Sequence, residues 1–588
     1  MSRGGVSSFR LFWVFLAFVA CFGAVVARLV ELQLTDRGEL VAESERMREK
    51  FKVLPARRGN ILDRNQNILA TTHTVREVGV DPESLCVEDR PQWAQLARIL
   101  KMDRAELENM MRTEVRIDSE GKPHPVRWRE LADVVSEEDY EKIQELGIKG
   151  VYGNRKYRRA YPGGQLAAHV LGYTNLEGAA VTGIEYSLDF YLRGQDGWLE
   201  TERDGKRREL VQYRHREIPA VPGMNVRLTI DEGVQAIIET ELQKIMEKYA
   251  PKGATIVVSN PSTGQILGMA SAPTFNPNHY FDFDQDSQRN RVIKDIYEPG
   301  SVFKVVPVSA GLSEELIDVD QQFDCGIDRV SYQGRVVRLP GEDHDFGKLS
   351  VADIIAKSSN RGAAQVGMTL GDSRLYRFTR AFGFGEKSGI LLGGEVAGIV
   401  HAPKDWDGLT ISRMPMGHAI AVTPLQAHFA MATLANDGVL MKPQIAEAIY
   451  DSHGEQVAFY EAQPVRRVVS STAARTMSQL LVRAVNEGTG KSAAIPGMEV
   501  AGKTGTTQPL VNGRYVRNSY VGSFIGYFPA SDPRLVISVV VDRPTKLVKG
   551  YGAQIAAPSF NHVAEELINL LGITPSNSIR GFLAMETF

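Results

Sequence analysis

Cysteine is scarce in this chain. Cys21, Cys86 and Cys325 are the only three in 588 residues. That excludes a disulfide framework, and with no Cys-x-x-Cys pair there is no thiolate zinc site or dithiol redox centre either. Cys86 and Cys325 could pair only if they lie outside the cytoplasm. An excess of charge of one sign is also missing: 68 Lys+Arg stand against 71 Asp+Glu. A nucleic-acid binder driven by net charge is therefore not expected. There is no internal repeat, no low-complexity tract and no Gly-rich phosphate loop, and no cofactor or metal is expected. Hydrophobic content of 43% with 24% charged residues is that of a folded protein, and the length allows several domains.

Long apolar runs are missing except at the start. Arg3 and Arg10 precede residues 11–27, which carry no charge. About 20 apolar residues span a bilayer, so this run sits at the short end. Basic residues ahead of it favour a cytoplasmic N-terminus and an exported remainder. A cleaved signal peptide is the rival, with Val25-x-Ala27 as its cleavage site. The uncleaved anchor is preferred, because a helical pattern continues through Arg28-Leu29-Val30-Glu31-Leu32-Gln33-Leu34 without a small-residue break. Phe18-Val19-Ala20-Cys21 is a poor lipoprotein signal.

Residues 55–70 alternate turn residues with short apolar runs and predict strands, with Arg58, Asp63 and Arg64 as an ion-pair cluster. Residues 90–146 read mainly as helices, with Trp93, Leu96, Ile99 and Leu100 at helical spacing. Arg155-Lys156-Tyr157-Arg158-Arg159 reads as a solvated charged face. A boundary is expected near Val221-Pro222-Gly223. Beyond it come a strand at 226–231, an amphipathic helix at 232–249 and a hairpin at 254–270 about Asn260-Pro261-Ser262-Thr263-Gly264. The chain then reads as largely helical to about residue 434. Strands at 499–501, 520–528 and 535–541 and a helix at 561–571 return at the end. Helices on antiparallel strands define an α+β domain.

Three short patterns carry chemistry. In Glu298-Pro299-Gly300-Ser301-Val302-Phe303-Lys304 the hydroxyl and the ammonium are three residues apart and share a helix face. Apolar neighbours favour a neutral Lys304, which beside Ser301 is a general base beside a nucleophile. A capping Ser with an unrelated Lys is the bland alternative. Ser358-Ser359-Asn360 adds a second hydroxyl able to relay a proton, and an amide able to bond a substrate peptide. Alone it is a turn signal. Lys503-Thr504-Gly505-Thr506, after a short strand, offers a hydroxyl and a positive charge to a carboxylate. Gly505 would leave room for a substrate backbone. Strand N–H groups there could join the N–H of Ser301 as an oxyanion hole.

In that order, S-x-x-K, S-x-N and K-T-G are the signature of penicillin-binding proteins and related β-lactamases. The chain resembles the class B penicillin-binding proteins nearly end to end. Arg58-Gly59-x-Ile61-x-Asp63-Arg64, Tyr161-Pro162-x-Gly164, Gly183-x-Glu185 and Leu228-Thr229-Ile230-Asp231 look like the family's pedestal and junction motifs. Val422-Thr423-Pro424-Leu425-Gln426 and Ala556-Ala557-Pro558-x-Phe560 look like its later markers, and the likeness is closer to the septal, FtsI-like branch than to the elongation branch, which is the alternative.

The resemblance implies an α+β architecture: a cytoplasmic N-terminus (1–10), a transmembrane helix (11–30), an elongated pedestal (31–222), a transpeptidase domain with an antiparallel sheet flanked by helices (223–572), and a tail (573–588). It implies an inner-membrane D,D-transpeptidase acting on peptidoglycan stem peptides. Ser301 would be the nucleophile, Lys304 the base and Ser358 the proton relay. Asn360, Lys503, Thr504, Gly505 and Thr506 would bind substrate. β-Lactams would acylate Ser301. A SEDS-type, FtsW-like glycan polymerase and division proteins would be partners.

The sequence departs from the family where Thr507 replaces the usual Ala, and where Gly417-His418-Ala419 replaces a more Gly-rich stretch. His418 is expected to be structural, since the Ser–Lys system already supplies a base. A β-lactamase would need a deacylation motif. A β-lactam sensor would need more spanning helices or a cytoplasmic domain, and a silent scaffold would not keep Ser301, Lys304, Ser358 and Lys503. No glycosyltransferase pattern is recognised.

Overall fold

The computed structural model describes residues 8–31, 49–112, 115–117, 123–126, 128–203, 209–342, 344–511, 514–546 and 551–574. Arg3, residues 32–34 of the expected helical continuation, and the tail after 574 lie outside the described residues. The chain divides into two compact units, Met1–Arg57 with Gly194–Pro222, and Arg58–Arg193 with Gly223–Phe588.

The smaller unit contains the helix Ser8–Val30, of 23 residues, long and apolar enough to cross a membrane and with none of its side chains buried. It also contains an antiparallel three-stranded sheet in the order Glu49–Leu54, Gly197–Arg203, Glu209–Ile218. The Ala56 amide donates to Asp196 at 2.7 Å.

The larger unit is built on two sheets. The seven-stranded one runs Gln456–Phe459, Ala446–Tyr450, Asn225–Leu228, Ile61–Leu62, Ile68–Val80, Arg129–Val135, with Val151–Ala160 also paired to Ile68–Val80. Residues from both sides of the expected 222 boundary therefore share one hydrogen-bonded sheet.

Residues 90–146 differ from their helical reading. Helices cover Trp93–Ile99, Arg104–Met110 and Glu137–Glu145, but strands occupy Val115–Ile117, Pro123–Pro125 and Arg129–Val135. Leu96 and Leu107 join Val78, Val80, Leu131 and Val135 in a small separate core. Sheet pairing decided these segments, which their local pattern did not.

The charge readings also change. Arg58 does not pair with Asp63. Its Nε meets Glu185 at 2.6 Å and its second nitrogen meets Asp189 at 2.5 Å. Asp63 instead accepts the backbone amides of Asn65, Asn67 and Glu232. The 155–159 run is an ion-paired strand rather than a solvated face. Arg158 pairs with Asp133, and Lys156 pairs with Asp133 and Glu77. Arg159, 4% exposed, meets Glu185 at 2.6 Å. The partners lie far away in sequence and were invisible to local pattern.

The second sheet is antiparallel throughout, in the order Ile266–Ala272, Pro251–Ser259, Leu535–Pro544, Val521–Phe528, Ala501–Thr507. Strand side chains alternate between faces. Ile256, Val258, Ile537 and Val539 pack with Val234, Ile238 and Leu242 of the helix Glu232–Tyr249, and with Ile555 and Phe560 of Gly552–Leu571. Val257, Ile525 and Val536 point to the other core, which holds Pro424–Ala435 and Val305–Ser313. Both faces are covered, so these strands read as continuous apolar runs.

Asp231 caps Glu232–Tyr249 by accepting from Gly233 and Val234, so the strand before it stops at Leu228. Thr423 and Gln426 form a capping box on Pro424–Ala435, every residue of which is buried. The stretch to 434 is less helical than expected: short strands at Gln322–Asp324, Arg329–Tyr332, Arg335–Arg338 and Lys348–Ser350 interrupt it. Cys21, Cys86 and Cys325 are all unpaired.

Candidate active site

The nucleophile turn is tighter than an α-helix. Gly300–Lys304 is a 3-10 helix that passes into Val305–Ser313. Residues i and i+3 nearly eclipse in that geometry, which puts Ser301 and Lys304 on one face. The first residue of the turn is Gly300, at φ +56°. A Cβ there would meet the Thr506 carbonyl oxygen at 2.9 Å. Pro299 caps the turn without a side-chain bond, and Ser301 is not its cap.

Lys304 is fully buried. Its Nζ donates to the Ser358 carbonyl, to Ser358 Oγ at 3.2 Å and to Asn360 Oδ1 at 2.8 Å. Ser358 ends the helix Val351–Lys357 in the left-handed region, φ +63°. A non-glycine residue held there costs about 1–3 kcal/mol. That conformation presents both its carbonyl and its hydroxyl to Lys304. Ser359 is structural: its Oγ accepts from the Gly362 amide at 3.0 Å and donates to Glu342 at 2.5 Å. Asn360 opens the next helix, and its Nδ2 donates to the Gly341 carbonyl at 3.1 Å.

Lys503 lies within the edge strand Ala501–Thr507, not after it. It is 1% exposed, and its Nζ donates to Ser358 Oγ at 3.0 Å. Burial pushes the Lys503 ammonium down to about 7. The Ser358 hydroxyl thus joins two lysine nitrogens, which lie within about 6 Å of each other. Two full charges at that separation repel by roughly 3 kcal/mol at an effective dielectric of about 20. The pocket favours one proton fewer than two ammonium groups would carry.

Thr506 Oγ1 accepts from the Gly552 amide at 3.1 Å, which leaves its own proton free to donate. Thr504 is buried, and its hydroxyl meets Thr489 at 2.7 Å. Gly505 corrects the expectation of room for a substrate backbone. A Cβ on it would meet Ser523 Oγ at 2.4 Å, the Pro299 carbonyl at 2.9 Å and Val302 at 3.0 Å. The glycine admits the nucleophile turn to the sheet. Among the described residues Ala501–Thr507 pairs only with Val521–Phe528, so its outer edge keeps N–H and C=O groups outside the ladder.

One residue in the opening motif had no assigned role. Glu298, half-buried, accepts from the Ala419 amide at 3.0 Å and from the Tyr515 hydroxyl at 3.2 Å, with Thr507 Oγ1 at 3.5 Å. Burial raises its carboxyl. His418 stands 4.0 Å from it and edge-on to Tyr515. Burial depresses the His418 imidazole to about 4, so it stays neutral at pH 7. Position next to Ser301 was the only sequence signal for Glu298.

A Ser–Lys pair, a second hydroxyl between two buried lysines and a free strand edge define a serine acyl-transfer centre on an α+β fold. The penicillin binding protein transpeptidase domain matches residues 254–565, and the penicillin-binding protein dimerisation domain matches residues 53–228. The chain therefore belongs to the class B penicillin-binding proteins and is a serine-type transpeptidase of that family. It is 31% identical over 573 residues to stage V sporulation protein D of Bacillus subtilis, covering 96% of this chain and 86% of that protein. It is 28% identical over 574 residues to the peptidoglycan D,D-transpeptidase FtsI of Escherichia coli, covering 96% and 92%. Among solved structures it resembles penicillin-binding protein 3 of Mycobacterium tuberculosis complexed with aztreonam, at a TM-score of 0.68 and 28% identity over 89% of this chain and 98% of that one.

Proposed function

We propose that this protein is a membrane-anchored peptidoglycan D,D-transpeptidase that cross-links stem peptides in septal wall synthesis. The observation that carries the reading is the convergence of Lys304, Ser358, Asn360 and Lys503 beside the Ser301 turn. Ser301 Oγ attacks the penultimate D-alanine carbonyl carbon of a donor stem. A neutral Lys304 can donate two hydrogens, to the Ser358 and Asn360 carbonyl oxygens, and its lone pair accepts the Ser301 proton. The Ser301 amide and edge-strand amides receive the oxyanion. Ser358 passes the proton to the departing D-alanine nitrogen as the C–N bond breaks. Lys503 and Thr506 hold the terminal carboxylate, and Asn360 the donor amide. An acceptor amine then attacks the ester, loses its proton to the same relay and frees Ser301. A penicillin enters by the same first step, and its opened ring stays attached.

Ser8–Val30 serves as the anchor, with a cytoplasmic N-terminus and the rest outside. Residues 31–222 serve as pedestal, 223–572 as transpeptidase domain and 573–588 as tail. The partners are an FtsW-like polymerase and division proteins.

The test is labelling by a fluorescent penicillin, followed over time, on the wild type and on Ser301→Ala. A long-lived adduct absent from Ser301→Ala is expected. Turnover within seconds would instead mark a β-lactamase, and no adduct on folded protein would remove Ser301 from its role.

A further inference from the structure

The turn that carries Ser301 is backed by the segment 417–422. At one end Tyr297 and Val422 exchange two backbone bonds, at 3.0 and 2.9 Å. At the other the Gly300 amide donates to the Gly417 carbonyl at 3.2 Å. Between these rungs Pro299 has no N–H to give. Among the described residues no backbone bond joins Glu298 or Pro299 to residues 418–421. Ala419 stands opposite this gap in the left-handed region, φ +61°, which a residue with a Cβ rarely adopts. Its amide donates to Glu298 Oε1 at 3.0 Å. A side-chain oxygen thus takes the place of a main-chain acceptor.

The two oxygens of Glu298 are unequal. Oε1 accepts the Ala419 amide and, from the rim, the Tyr515 hydroxyl at 3.2 Å. Oε2 has long contacts, to Thr507 Oγ1 at 3.5 Å and to His418 at 4.0 Å.

On the transpeptidase reading, on which this inference rests, Ser301 moves with this turn in two capacities. Its Oγ is the nucleophile and its amide is an oxyanion donor. The Lys304 ammonium is held elsewhere, by Ser358 and Asn360. A shift of the turn therefore changes how Ser301 meets both its base and the incoming carbonyl. Misplacement of a reacting group by about 1 Å costs on the order of a hundredfold in rate.

We propose that Glu298 is a positioning residue for acylation: its Oε1 supplies the rung that Pro299 cannot, and so fixes the turn on which Ser301 stands. The rung that matters is the one to Ala419, and Tyr515 shares the same oxygen from the rim without setting the turn.

The test is acylation of the full chain by a fluorescent penicillin over a range of concentrations, which separates the limiting acylation rate from the dissociation constant of the first complex. Thermal midpoints are measured alongside. Glu298→Ala should lower the limiting rate about a hundredfold and leave the dissociation constant at its wild-type value. Glu298→Gln keeps Oε1 and should restore the wild-type rate, and Tyr515→Phe should also acylate at that rate. Should Glu298→Ala not fold, Glu298→Asp decides: it keeps the charge but withdraws Oε1 by one methylene, and should be about tenfold slower than Glu298→Gln. A wild-type rate in Glu298→Ala, a loss confined to the dissociation constant, a Glu298→Gln no faster than Glu298→Ala or Glu298→Asp, or a Tyr515→Phe as slow as Glu298→Ala would overturn the proposal. Failure of penicillin to label the wild type would instead strike the transpeptidase reading itself.

Discussion

Two regions of the larger unit bury charge in opposite ways. Around Glu185, which is fully buried, every charge has an opposite one. Arg58 and Arg159 each meet it at 2.6 Å, Tyr161 donates to it at 3.2 Å, and Asp189 takes the other arm of Arg58. Beside Ser358, Lys503 is just as buried, yet among the described residues its ammonium meets the Ser358 hydroxyl and the Thr504 carbonyl and no carboxylate. The first arrangement satisfies its charges and is inert. The second leaves Lys503 with a nitrogen that gains by giving up a proton, which is what a group in a proton-transfer centre requires. Burial alone says nothing about function. What separates the two is whether burial comes with a counter-ion.

The contrast can be broken most sharply at Lys304. Lys304→Met keeps the volume and removes the base, so penicillin acylation should fall about a hundredfold to ten-thousandfold with the unfolding midpoint held or raised. An acylation rate near wild type would end the base assignment. Glu185→Ala should do the reverse. It strands the buried Arg159 guanidinium and leaves Arg58 with Asp189 alone, at a cost of about 3–5 kcal/mol in chemical unfolding. Protein that remains folded should still be acylated at the normal rate. A loss as small as that of a surface substitution would remove the distinction drawn here.

A finer test uses pH. With Lys503 held near 7, it is charged below that value and loses its proton above it. Affinity for a donor with a free terminal carboxylate should therefore decline as pH rises through about 7, and a donor esterified at that carboxyl should show no such decline. Matching profiles for the two donors would mean that Lys503 does not serve the carboxylate. The smallest effect is expected at Thr507. Its contact with Glu298 is a marginal 3.5 Å, so Thr507→Ala should alter stability by no more than about 0.5 kcal/mol. A larger shift in the thermal midpoint would make Thr507 a true brace of the nucleophile turn.

The sequence carried the three motifs, because each is local: a turn, a helix end and a strand. It carried four strands of the second sheet, because both faces are buried and those strands run apolar, but it ended the edge strand at 501, since Ala501–Thr507 has no apolar run. Local pattern did not reveal the partners of Arg58 and Arg159, since Glu185 is 127 and 26 residues away and only folding brings it near. The strands between 115 and 135 were lost to helical periodicity nearby. Gly505 was given the right importance for the wrong neighbour, because what a missing Cβ makes room for is a tertiary fact. Glu298 stood in the motif, but nothing in its spacing foretold Ala419 and Tyr515.

The close approach at the cleft has a consequence for selection. Gly417 presses on Gly300, where a Cβ would meet the Gly300 carbonyl at 2.1 Å; Gly300 presses on Thr506, and Gly505 on Pro299. Three chain segments meet there, backbone against backbone at Gly417, Gly300 and Pro299, with the Ser523 and Val302 side chains also close on Gly505. On the proposed function, a cell under pressure from a β-lactam gains nothing by changing these glycines, because a replacement displaces Ser301. Escape must come from the rim, at positions such as Thr507, Gln508 and Tyr515, where a new side chain can discriminate between drug and peptide while the nucleophile keeps its place. For an inhibitor, this makes contacts with the glycine framework the durable ones and contacts with the rim the ones lost first.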